Sequence, residues 1–106
     1  MQSRVIDIIK KEVIKMTIRK LKEMPYAQAH VEIDDNGNTF LFSYTTLVAM
    51  IDSEGWVVIG GLYSMTTRKH IGAFMREYAN SNYQTAKQIY EDGYRYNMYT
   101  GEVVEI

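Results

Sequence analysis

Between residues 27 and 59 apolar side chains fall at every second position or in short unbroken runs, the periodicity of β-structure. Ala29, Val31 and Ile33 alternate with His30 and Glu32, which predicts a strand over Ala27–Asp34. Asp35-Asn36-Gly37-Asn38 follows, and an Asn-Gly step accepts the positive φ angles of a tight hairpin. Thr39–Tyr44 is the returning strand, with Phe40, Phe42 and Tyr44 on one face, and Thr45 and Thr46 mark a bulge or a bend. Leu47–Ile51 is apolar at every position, which suits a strand covered on both faces. Ser53-Glu54-Gly55 turns the chain again, Trp56–Ile59 comes back antiparallel, and Gly60-Gly61 marks a bend before a short Leu62–Met65 segment.

On either side of this block the period lengthens to that of a helix. Val5, Ile9, Val13 and Met16 recur at spacings of 4, 4 and 3, which predicts one long helix over residues 3–23, with Ser3 as N-cap and Pro25 as its stop. Thr66 or Thr67 caps a second helix running to about Ala79, whose inner stripe is Ile71, Phe74, Met75 and Tyr78. Asn80-Ser81-Asn82 breaks it. A third helix runs from Tyr83 to Asp92, with Ala86, Ile89 and Tyr90 inward and Gly93 as its C-terminal stop. The last residues, Tyr94 to Ile106, read as an edge strand or an extended arm. The expectation is a single α+β domain over 1–106: an antiparallel sheet of three to five strands with a long N-terminal helix and two C-terminal helices packed on it. The first two helices are expected to cover one face together.

Composition narrows the class. The chain holds 46% hydrophobic and 24% charged residues and one proline, an ordinary globular balance. It has no cysteine, which removes disulfides, thiolate zinc sites and cysteine nucleophiles, and fits the reducing cytoplasm. The longest apolar run, Leu47–Ile51, is far below the about 20 residues of a membrane span, and the lysines near the N-terminus are unlike a signal peptide. A cytoplasmic protein is therefore expected. Residues 1–24 carry seven basic and three acidic side chains, net +4; the remainder carries five and ten, net −5. On the predicted first helix, Arg4, Lys11, Lys15, Arg19 and Lys22 fall within an arc of about 80°.

Two short motifs carry a resemblance. Phe42-Ser43-Tyr44-x-Thr46-x-Val48-Ala49 and Tyr63-Ser64-x-Thr66-Thr67-x-x-His70-Ile71 are similar to those of a family of small uncharacterised domains from bacteriophages, prophages and archaeal mobile elements. That family's usual first motif has proline before the valine-alanine pair, where this chain has Leu47. The resemblance spans about a third of the chain. It implies a viral or mobile-element origin inside a prokaryotic cell, and it brings no catalytic residues with it.

The candidate chemistry is sparse. Thr66-Thr67-Arg68-Lys69-His70 combines a predicted helix start, two hydroxyls and two cations, a pattern that holds phosphate, although capping alone accounts for the threonines. His70 lies three residues from a threonine, yet no aspartate pattern orients it as a base, and a structural histidine packed on the sheet is the simpler reading. Asp34, Asp35, Asp52 and Glu54 sit at two hairpin ends, where turn chemistry explains them better than a cation does. Six of nine tyrosines crowd between Tyr78 and Tyr99. Tyr78 and Tyr90 read as core, whereas Tyr94, Tyr96 and Tyr99 are the candidate partner-binding surface, because tyrosine is enriched at interfaces.

No catalytic, metal or cofactor constellation stands out, so an enzyme is not expected. The favoured reading is a binding protein of a phage or mobile element that inhibits or modulates a host protein. Anti-CRISPR and other anti-defence inhibitors, with a CRISPR effector as partner, are the type. The alternative is a nucleic-acid-binding accessory protein using Arg4, Lys11, Lys15, Arg19, Lys22, Arg68 and Lys69. A homodimer is also expected, from the apolar helix stripe on so small a domain.

Overall fold

The computed structural model describes residues 16–105. Over them the chain forms one seven-stranded antiparallel sheet whose spatial order is the sequence order: β1 (Met16–Arg19), β2 (Ala29–Asp34), β3 (Thr39–Ser43), β4 (Thr46–Ile51), β5 (Trp56–Ile59), β6 (Tyr94–Asn97) and β7 (Val103–Glu105). Two helices, α1 (Met65–Tyr78) and α2 (Tyr83–Glu91), are inserted between β5 and β6 and pack on one face of the sheet. The turns predicted at Gly37 and Gly55 hold those glycines at φ +87° and +92°, conformations that residues with a Cβ adopt only under strain.

The core lies between the sheet and α1. Val31, Leu41, Val48, Ala49, Ile51, Val57 and Ile59 point from the strands toward Ile71, Phe74 and Met75 of α1, and Ala86 of α2 closes one end. Alternation in β2, β3 and β5 produces this face directly. In β4 the register shifts by one residue: Leu41 faces Ala49 while Phe42 faces Leu47, leaving Val48 as a bulge. The unbroken run Leu47–Ile51 is therefore no sign of a doubly covered strand. The bulge turns both Val48 and Ala49 inward and sends Leu47 and Met50 to the opposite face, which no described element covers.

The expected architecture of three to five strands with a long N-terminal helix and two C-terminal helices is corrected on two counts. The predicted helix over 3–23 does not hold at its C-terminal end: Met16–Arg19 is a strand, paired with β2 from Met16↔Asp34 to Arg19↔Val31. An edge strand satisfies the otherwise free ladder groups of β2, and fully buried Leu21 anchors the chain just beyond it. Met16 falls in step with the helical stripe begun at Val5, which concealed the change to a strand. The rest of that predicted helix lies outside the described residues. Second, the tail is neither a lone edge strand nor an arm: β6 pairs with β5 and with β7, extending the sheet to seven strands. Among the described residues, the covered sheet face is packed by α1 and α2.

Candidate functional site

Helix α1 begins at its N-cap Ser64, whose side chain accepts from the Thr67 N–H at 3.2 Å, two to three residues before the predicted cap. Thr67 is thus in the first turn of the helix, with its hydroxyl turned into the protein. Its Oγ1 lies 2.9 Å from Ser43 Oγ at the end of β3, and Ser43 Oγ lies 2.8 Å from His70 Nδ1. Ser64 Oγ donates to Thr67 Oγ1 at 3.3 Å. Every hydroxyl uses its one proton if the chain runs Ser64 to Thr67 to Ser43 to His70, with Nδ1 as final acceptor and the imidazole proton on Nε2. Burial lowers the His70 pKa below its ordinary value, which keeps the ring neutral and suits that role.

This cluster gathers residues from both sequence motifs, and its place is between sheet and helix. Ser43 and His70 are 2% and 1% exposed. A serine-histidine contact of this length resembles a nucleophile and base, but here both side chains are buried between sheet and helix, and the network ties α1 to β3. Thr67 is committed to it and does not face outward to a phosphate. Ser43 was not singled out in the sequence, because its partners stand 24 and 27 residues away.

The cations of the same segment face outward. Arg68, Lys69, Gly72 and Arg76 lie along one side of α1 and, with Met24, Met65 and Tyr83, line an open cleft of about 470 Å³. Its lining joins apolar side chains, Met24 and Met65, to the basic ones of Arg68, Lys69 and Arg76. Arg76 is engaged by Glu23 through three contacts of 2.8–3.0 Å, which hold the Glu23 carboxyl below its ordinary pKa. Neither Arg68 nor Lys69 has a carboxylate partner among the described residues. Tyr83 lines the cleft as well, and its buried hydroxyl has no hydrogen-bond partner among the described residues. The recurrence of Arg68, Gly72 and Arg76 every four residues was the available signal for this face.

The remaining candidates separate. Arg19 is on strand β1 and Lys22 follows it, its backbone N–H held by Glu77 Oε1 at 2.7 Å, so the helical arc drawn through them does not exist at these positions. Arg4, Lys11 and Lys15 lie outside the described residues. Tyr96 is a core residue, donating its hydroxyl to the Ala79 carbonyl at 2.8 Å; Tyr94 is half-buried and Tyr99 is exposed. Of the tyrosines read as core, Tyr78 packs on Phe74 with ring centroids 5.4 Å apart, whereas Tyr90 is exposed. Asp34 accepts from the Asn36 and Asn38 backbone and the Asn38 side chain, and Asp52 from the Glu54 and Trp56 backbone, so both work as turn residues. Among the described residues no cluster of three or more histidines and carboxylates could hold a metal ion, and no helix is long and apolar enough to cross a membrane.

No curated protein and no solved structure matches the chain. Residues 13–92, most of its length and including both motifs and the cleft, match a family of unknown function, DUF8033, and the chain belongs to that family.

Proposed function

We propose that this is a non-enzymatic binding protein that occupies a partner protein through the cleft beside α1, and that the occupant is an acidic segment carrying an apolar side chain. The observation that carries this reading is the pairing of two cations that have no carboxylate partner among the described residues, Arg68 and Lys69, with the apolar side chains of Met24 and Met65 lining the same cleft. Charge selects an acidic partner and the methionines reward an apolar group, a combination typical of a protein segment. A nucleic-acid backbone fits less well: such binding runs on many Lys and Arg contacts to phosphate, and this chain has a net charge of −1. The buried Ser43–His70 contact supports a binding role, since this arrangement, the one with a catalytic look among the described residues, is spent on holding α1. The resemblance to phage and mobile-element domains makes a host defence protein, such as a CRISPR effector, the class of partner, inside the prokaryotic cell.

The test is a pull-down of the tagged protein from prokaryotic lysate, with and without nuclease, alongside the Arg68→Glu/Lys69→Glu variant. A protein retained after nuclease by the wild type and lost by the charge-reversed variant is the expected result. Retention that disappears with nuclease would move the function to nucleic acid. Retention untouched by charge reversal would remove the cleft from the reading.

A further inference from the structure

Among the described residues, one face of the sheet carries no helix. On it, cross-strand neighbours form a single row through all seven strands: Ile18 opposite Glu32, Glu32 opposite Phe40, Phe40 opposite Met50 and Met50 opposite Val58. The β5–β6 register, continued by one step from Val57↔Tyr96, sets Val58 opposite Arg95, and Arg95 faces Val104. Ile18, Val58 and Val104 are 66%, 52% and 40% exposed. Beside this row lie Phe42, stacked on His30 at 4.9 Å, exposed Leu47, and Trp56 beneath the Arg95 guanidinium. A largely apolar sheet face, broken here only by Glu32 and Arg95 within the row and by His30 beside it, is a surface on which protein interfaces form.

The order of the row identifies the occupant. Read from β1 to β7 it is apolar, acidic, aromatic, Met50, apolar, basic, apolar. Reversed about β4 it keeps apolar side chains opposite apolar ones, Phe40 against Val58 and Ile18 against Val104, while the charge changes sign. An isologous contact needs a surface that complements its own copy. A two-fold axis lying between the sheets and running along β4 sets β2 of one copy over β6 of the other. Glu32 then meets Arg95, Phe40 meets Val58, Met50 meets Met50, and Ile18 meets Val104. The other face-to-face choice, an axis across the strands, sets Glu32 on Glu32 and Arg95 on Arg95, and like charges in apposition oppose it. We infer that the uncovered sheet face is the interface of a homodimer, packed sheet on sheet at the about 10 Å spacing of such layers, with Glu32 and Arg95 paired across it twice. This is independent of the cleft, which lies on the helical side and stays open in the dimer.

The row spans about 29 Å at ~4.8 Å per strand, and strands of five residues are about 17 Å long, so the face offers ~500 Å² in projection. That is smaller than the about 800 Å² per partner of a standard interface, and the association should depend on concentration. The experiment is sedimentation equilibrium of the full chain across concentration. A mass rising to twice the 12.3 kDa of one chain is expected. Val58→Asp should give a folded monomer, with far-ultraviolet circular dichroism confirming the fold. Glu32→Arg alone and Arg95→Glu alone should each raise the dimer dissociation constant by about tenfold or more, and the two together should restore it. A wild-type chain that stays monomeric at high concentration overturns the inference. So does a double variant no better than the worse single one, because only the β2-over-β6 arrangement predicts rescue.

Discussion

Ser43 Oγ and His70 Nδ1 lie 2.8 Å apart across the seam between the end of β3 and the second turn of α1, both side chains almost wholly buried. Replacing Ser43 with alanine strands a buried imidazole nitrogen and leaves the Thr67 hydroxyl without its acceptor. The expected cost is about 1–3 kcal/mol, a fall in melting temperature of roughly 5–15 °C, read by thermal denaturation. A Ser43→Ala protein as stable as the wild type would show that the contact contributes nothing to the fold.

The same histidine makes stability depend on pH. Its folded-state pKa lies below the ordinary 6.5, so under mildly acidic conditions the unfolded chain binds a proton that the folded chain resists. Stability contributed by the neutral ring is complete above about pH 6.5, is lost as pH falls below it, and levels off once the folded ring protonates. Urea midpoints measured across pH 4.5–7.5 should fall toward acid in the wild type. The His70→Gln variant should be less stable throughout and show a flatter profile over that window.

Tyr96 and Tyr99 share a hairpin but differ in what their hydroxyls do. Tyr96→Phe removes a buried bond to the Ala79 carbonyl and is expected to destabilise by about 1–2 kcal/mol. Tyr99→Phe removes an exposed contact of 3.5 Å to the Ser53 carbonyl and should stay within about 0.5 kcal/mol of the wild type. Parallel urea titrations decide it, and equal effects would contradict the placement of Tyr96 in the core.

Leu21 is fully buried although it follows an exposed edge strand. Leu21→Ala should leave a cavity beneath the segment that joins β1 to β2 and cost about 2–5 kcal/mol. Hydrogen exchange should quicken in β1 ahead of β3 and β4 if Leu21 is what ties that edge down.

The strands from β2 to β5, the turns at Gly37 and Gly55, and the two helices with their break at Asn80–Asn82 were legible in the sequence because each signal is local. The hairpin turn between β3 and β4 was not, since Tyr44, expected to extend β3, lies in that turn at φ +57°. Alternation over five or six residues, an Asn-Gly step and an asparagine cap act within one turn of chain. The outer strands were not. Met16–Arg19 is only four residues long and continues a stripe of helical spacing, and Tyr94–Asn97 is a strand because β5 and β7 supply its partners. Of the candidate site, Arg68 and Lys69 were visible as cations at the start of a helix. Their cleft was not, because Met24 and Tyr83 reach it from distant parts of the chain.

By itself the sequence determined which residues are apolar, where the chain turns and which segments favour strand or helix, since those depend on neighbours within a few positions. Tertiary structure alone decided that Val48 bulges inward, that Ser43 finds His70, and that Glu32 and Arg95 share one row on an uncovered face. The reason is physical. These relations are set by strand register and layer packing, which bring together atoms whose separation along the chain carries no signal of its own.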